Sequence, residues 1–135
     1  MKRVSFPRLK GQAGVALLEA LISILIFSMG ILALVGLQAA MTKNATDANY
    51  RAQASYLANQ LIGRMWVDQP NLAKYDTGAA SYSNRTAWTS QVSNSLPSGT
   101  ATVSVNGTNV SITINWRQPG KDAASSYNTL AVITS

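Results

Sequence analysis

The 135-residue chain has no cysteine and no histidine, and only five of its side chains are acidic. Without imidazole there is no neutral-pH base and no nitrogen ligand for zinc or haem; without thiols there is no cysteine nucleophile and no disulfide. Ser-His-Asp chemistry is excluded on the same ground. The lack of cysteine leaves the redox compartment open, because a secreted domain can also fold without bridges. Carboxylates are as scarce as they are scattered: Asp68, Asp76 and Asp122 stand alone in the second half of the chain, without the clustered oxygen ligands that calcium requires. No metal or other cofactor is expected.

What is abundant is apolar and basic, and both are unevenly placed. Lys2, Arg3, Arg8 and Lys10 supply four of the eleven positive charges within residues 1–14, while the other seven face all five acids, so the net charge of +6 belongs mostly to the start of the chain. A nucleic-acid footprint would persist along a folded face, and none is expected here. Residues 15–37 then read VALLEALISILIFSMGILALVGL, with one charge in 23 positions. As a helix rising about 1.5 Å per residue this run is long enough to cross a bilayer. The preceding basic cluster predicts a cytoplasmic N-terminus and an exported C-terminal part. A conventional signal peptide fits poorly: the apolar run exceeds the usual length, and its exit at Leu37-Gln38-Ala39-Ala40 lacks a small-x-small cleavage site.

Glu19 is the anomaly, since a charge deep in a bilayer costs on the order of 3 kcal/mol. Gly14, four residues before it, divides the polar leader from the apolar run. Cleavage after Gly14 would leave the ammonium of Val15 one helical turn from the Glu19 carboxylate, a cation and an anion together at one embedded helix end. An alternative is that Glu19 only complements the helix dipole, a gain of about 0.3–1 kcal/mol.

The segment Lys10-Gly11-Gln12-Ala13-Gly14 followed by Val15-Ala16-Leu17-Leu18-Glu19 resembles the class III leader of type IV pilins and type II secretion pseudopilins. The resemblance implies that a prepilin peptidase cuts between Gly14 and Val15, that Val15 becomes the N-methylated N-terminus, and that Glu19 is the subunit-assembly glutamate, paired with the N-terminus of a neighbouring subunit. Val15 stands where the family most often has Phe.

Beyond the apolar run there is no proline before Pro70, and residues 38–66 are rich in helix-favouring Ala, Gln, Leu and Met. One helix over residues 15–66, about 78 Å long, is expected, with its first half, 15–37, transmembrane. Tyr50, Ala54, Leu57, Leu61 and Met65 form an apolar stripe along its second half. Residues 67–135 should form an exported head: 27 of these 69 residues are Ser, Thr or Asn, a composition that must lean on the helix for its core. Residues 71–99 read as a long loop with at most a short helix over 86–94. Trp88 is expected to pack inward, although Arg85-Thr86-Ala87-Trp88 also suits an exposed partner patch.

Alternation at Val103, Val105, Val110, Ile112, Ile114 and Trp116 around Asn106-Gly107-Thr108-Asn109 predicts a β-hairpin whose turn begins with Asn106-Gly107, since both residues accept positive φ. Pro119-Gly120 marks a second turn, and residues 127–134 a third strand with Leu130 and Val132 facing inward. The fold class is therefore α+β, pilin-like: a long N-terminal helix packed against a small antiparallel sheet.

Gly36-Leu37-Gln38, the stretch from Ala54 through Leu61 to Arg64-Met65, and Ile112-Thr113-Ile114-Asn115-Trp116 resemble the PilV type of minor pilin, the type IV pilus modification proteins. Two departures from major pilins accompany this: no Cys pair closes a C-terminal loop, and Gly36 replaces a helix-breaking Pro. The resemblance implies a non-enzymatic subunit, first in the inner membrane and then at the pilus tip, that primes assembly with other minor pilins and the major pilin, often alongside a large PilY-type adhesin. Small residues at Ala20, Ser23, Gly30 and Ala33 would let such helices approach closely. A type II minor pseudopilin has nearly the same leader and helix and is the alternative. In a different class, a membrane-anchored hydrolase would have to recruit Lys121 with Ser125 or Ser126.

Overall fold

The computed structural model describes residues 13–134; Lys2, Arg3, Arg8, Lys10 and the rest of the leader before Ala13 lie outside the described residues. The first element, α1, runs over Ala13–Val67. It is followed by a short 3-10 helix at Gln69–Tyr75, helix α2 at Ser83–Ser95, and strands β1 at Thr100–Asn106, β2 at Asn109–Trp116 and β3 at Ser125–Val132. The chain divides into two compact units, one ending at Asn44 and one beginning at Ala45.

In the first unit the described residues are helical and almost wholly exposed, Leu, Ile, Val, Phe and Met included. The most apolar stretch of α1 has a mean hydropathy of 2.6, and the helix is long and apolar enough to cross a membrane. Its hydroxyls are satisfied internally, as an apolar surrounding demands: Ser23 donates to the carbonyl of Glu19 at 2.8 Å, and Ser28 to that of Ile24 at 2.7 Å. The helix continues without interruption through Gly36.

The second unit is α+β and builds its core on the second half of α1. Ala54, Leu57, Ala58, Leu61 and Met65 are buried, with Tyr50 half-buried beside them, so the stripe read from the sequence is the face that the head covers. Val103, Val110, Ile112, Ile114 and Trp116 close over it from β1 and β2. The sheet is antiparallel in the order β1-β2-β3, with Val103 opposite Ile112 and Ile112 opposite Thr129.

Three expectations are corrected. The segment 71–99 is mostly helical rather than a long loop: α2 starts three residues before the anticipated 86, and a 3-10 helix precedes it. Trp88, Val92 and Leu96, spaced by four, are all buried, so the apolar face of this Ser- and Asn-rich helix is one residue wide and its packing supplies what its composition does not. In the hairpin only Gly107 has positive φ, at 61°, because Asn106 is the last residue of β1, paired with Asn109. The two-residue loop is Gly107-Thr108, with glycine first as in a II′ turn. In β3 the facing is the reverse of that expected: Leu130 and Val132 point to solvent, and Tyr127, Thr129 and Ala131 are half-buried. The Pro119-Gly120 turn is as read, with Gly120 at φ 78° and Lys121 N–H bonded to the Gln118 carbonyl at 3.1 Å.

The two edges of the sheet differ. On β1, the Val103 N–H donates to Thr77 Oγ1 at 2.7 Å, Thr77 N–H returns a bond to the Val103 carbonyl at 2.9 Å, and Val105 N–H donates to Asp76 Oδ2 at 2.8 Å. Asp76 also accepts from Gly78 N–H at 2.7 Å. These backbone donors, Val105 first, hold its carboxyl below the usual range, against some desolvation and with help from the Arg85 charge. The β3 edge has no such cover among the described residues.

Candidate functional site

Gly14, Val15 and Glu19 all lie at the exposed start of α1. Among the described residues, a Cβ placed on Gly14 would meet no heavy atom within 4 Å. One turn on, Glu19 shares a shallow concavity with Val15, Leu18, Ile22 and Ser23. The Glu19 carboxylate and Val15 therefore lie on one face, as their spacing of four requires.

The residues considered for metal binding are not brought together: among the described residues no three His, Cys, Asp or Glu side chains converge. Asp68 instead organises the end of α1. Its carboxylate accepts from Asn71 at 2.7 Å, from Tyr75 at 3.0 Å, from Tyr82 and from Asn84. Tyr75 and Tyr82 meet edge to face with ring centres 5.0 Å apart. The network ties α1, the 3-10 helix and the start of α2 together, and a shallow groove bordered by Gln60, Arg64 and Val67 runs beside it.

Hydrogen bonds from Asn71 and then Tyr82 hold the Asp68 carboxyl at about 2, prevailing over desolvation. The bond to Asp68, followed by desolvation, pushes the Tyr82 phenol to about 12. Burial is also the first cause raising Tyr75. The Asp68 contribution to stability is complete above its unfolded value of 3.8 and is lost as pH falls through about 2. The Tyr82 contribution is complete below 10.0 and is lost as pH rises through about 12. Denaturant midpoints should therefore show an acid limb below pH 3.8 and an alkaline limb above pH 10.0, with Asp68→Asn flattening the first. An unchanged acid limb in that variant would remove Asp68 from this role.

The hydrolase candidates separate as well. Lys121 and Ser125 border one groove, but the Lys121 ammonium is held by Asp47 at 2.6 Å, and Gln118 donates to the same carboxylate. Ser126 is exposed on β3. The Arg85-Thr86-Ala87-Trp88 stretch is turned inward at both ends. Trp88 is fully buried, with its indole N–H on the Leu57 carbonyl at 2.9 Å, and Arg85 donates to the carbonyls of Lys74, Asp76, Ala79 and Ala80.

The Asp68 and Asp47 networks were not legible in the sequence. The nearest signals are Asp68 following the end of α1 ahead of Pro70, and the Asp76-Thr77-Gly78 turn. No protein family, curated protein or solved structure was found to match this chain.

Proposed function

We propose that this chain is a minor pilin of the PilV type that helps initiate type IV pilus assembly within a priming complex at the tip. The observation that carries the reading is the pairing of Gly14-Val15 with Glu19 on one face at the start of an exposed apolar helix whose other half carries a small α+β head. Cleavage after Gly14 by a prepilin peptidase frees an ammonium at Val15, which becomes methylated. In the bundle, the Glu19 carboxylate of one subunit receives the N-terminus of the next, so that neither charge enters an apolar surrounding alone. The exposed Leu, Ile and Val surface of α1 moves from lipid into contact with neighbouring helices, where Ala20, Ser23, Gly30 and Ala33 allow close approach. The basic leader fixes the uncut chain with its N-terminus in the cytoplasm and the head exported. Other minor pilins, the major pilin and a PilY-type adhesin are the proposed partners.

The test is the mature N-terminus. Co-expression with a prepilin peptidase should give a chain beginning at Val15 with one added methyl group, read by intact mass and terminal sequencing, and the uncut chain without the enzyme. An uncut chain in both cases, or a terminus near Ala39 or Ala40, would overturn the proposal. A type II pseudopilin gives the same cleavage and is separated from the pilus reading by whether the chain restores piliation or secretion in a null strain.

A further inference from the structure

The groove that Lys121 and Ser125 border is lined mainly by donors. Asp47, Ala48 and Arg51 of α1 form one wall, and Trp116 and Ser125, opposite each other in the β2–β3 register, form another; its volume is about 350 Å³. Asp47 and Arg51, four apart on one helix, would ordinarily pair. Here the Asp47 carboxylate is already taken. Lys121 Nζ donates to its two oxygens at 2.8 and 2.6 Å, and the buried Gln118 amide donates to it as well. Lys121–Asp47 is the one ion pair among the described residues, so the exposed Arg51 guanidinium has no acid of its own.

A second, independent observation marks the same place. Trp116 is 2% exposed, and its buried indole N–H has no acceptor among the described residues, whereas that of Trp88 is bonded to the Leu57 carbonyl. An orphaned buried donor costs about 1–3 kcal/mol, and native structures hold few of them. The Ser125 hydroxyl next to it holds no bond among the described residues either. A guanidinium, an indole N–H and a hydroxyl around one groove are completed by acceptor oxygens.

We propose that this groove receives a carboxylate carried by an acidic side chain of a partner protein. Arg51 and Lys121 against Asp47 leave a surplus of one positive charge, which one carboxylate cancels and a phosphate monoester, at about −1.5 to −2, exceeds. The planar fork of Arg51 takes both oxygens of a carboxylate at once. A carboxylate also ends its side chain and needs one way in, whereas a phosphodiester is flanked by ester groups on both sides. The partner is a protein because the groove is open where Ala48 and Arg51 are exposed. A free acid would stay largely in water there, whereas a side chain on a docked surface is positioned by the rest of the contact. This inference does not rest on the pilin reading, and its test needs neither cleavage nor piliation.

The chain has three tryptophans, so the full-length protein with isotope-labelled indoles, in micelles of a maltoside detergent, gives three indole N–H signals, and Trp116→Phe identifies the one that matters. A capped triglutamate peptide should shift the Trp116 signal saturably and leave that of Trp88 in place. Capped triglutamine at the same ionic strength should shift neither. Arg51→Gln, at an exposed position, should weaken the titration by about tenfold or more, the unmoved Trp88 signal showing that the head is folded. Arg51→Lys keeps the charge without the fork and should fall between. No Trp116 shift with triglutamate, an equal shift with triglutamine, or a titration unchanged in Arg51→Gln would overturn the proposal. So would a shift evoked by phosphatidylglycerol added to the micelles and not by triglutamate, which would assign the groove to a lipid phosphate.

Discussion

Trp88→Ala is expected to destabilise the head by about 3–5 kcal/mol, the range for deleting a large buried aromatic side chain. Against a typical total of about 5–15 kcal/mol, that takes much of the domain's margin. The size of the effect follows from what the indole joins. Trp88 is fully buried, packs with Val92 and Leu96 on the one apolar line of α2, and donates to the Leu57 carbonyl on α1. Little else in the composition of α2 favours a helix, so losing the anchor should melt the segment before the sheet. Trp88→Phe retains most of the volume and removes the donor, at a smaller cost of about 0.5–1.5 kcal/mol for the hydrogen bond. Denaturant titration of the full chain in micelles, followed by circular dichroism, measures both. An alanine variant within about 1 kcal/mol of the parent would mean that Trp88 is not the anchor, because fully buried aromatics do not truncate so cheaply.

The second large effect concerns Glu19. If the carboxylate receives a neighbour's N-terminus, Glu19→Ala leaves that ammonium unpaired in an apolar bundle, and breaking such a pair costs about 3–5 kcal/mol. At about 1.4 kcal/mol per tenfold, incorporation should fall by a hundredfold or more. Glu19→Lys, which sets two cations together, should do no better. Both variants should still be membrane-anchored and cut after Gly14, since neither change touches the scissile bond. The measurement is piliation of a null strain carrying each variant, with cleavage followed in parallel by mass. Normal piliation by Glu19→Ala would exclude the assembly role while leaving the cleavage result standing.

What the sequence disclosed, it disclosed where periodicity is strong. The apolar run and the stripe from Ala54 to Met65 gave α1 and its covered face, because both repeat at helical spacing over many residues. The alternation from Val110 to Trp116 likewise determined β2. β3 failed because each of its two faces has some claim to the core: Leu130 and Val132 in one phase, Tyr127 and Ala131 in the other, with Ile133 continuing the latter. Hydropathy favours the first pair. Pairing decides for the second, since Ile112 and Ile114 must stand opposite Thr129 and Tyr127, and the Tyr127 hydroxyl receives a bond from Ser55 on α1 at 3.2 Å. α2 was read too short for a related reason. Its apolar positions number one per turn among Ser, Thr, Asn and Gln, and propensity outweighs so sparse a stripe unless the packing is known. At the candidate site, Gly14, Val15 and Glu19 were singled out by spacing alone, and the helix puts Val15 and Glu19 on one face. The Asp68 and Asp47 networks depend on residues up to 74 positions apart in the chain, and no local pattern announces them.

The bonds from Thr77 and Asp76 across the β1 edge set the valence of this molecule. A sheet with two bare edges is a bifunctional monomer: each addition exposes a fresh end, and strand pairing runs on toward a fibre. Here one end is already stoppered by a hydroxyl, an amide N–H and a carboxylate of the same chain. The sheet therefore cannot be extended from its β1 edge while Asp76 and Thr77 hold it. Loosening the stopper, by Asp76→Ala with Thr77→Val, would bare that edge.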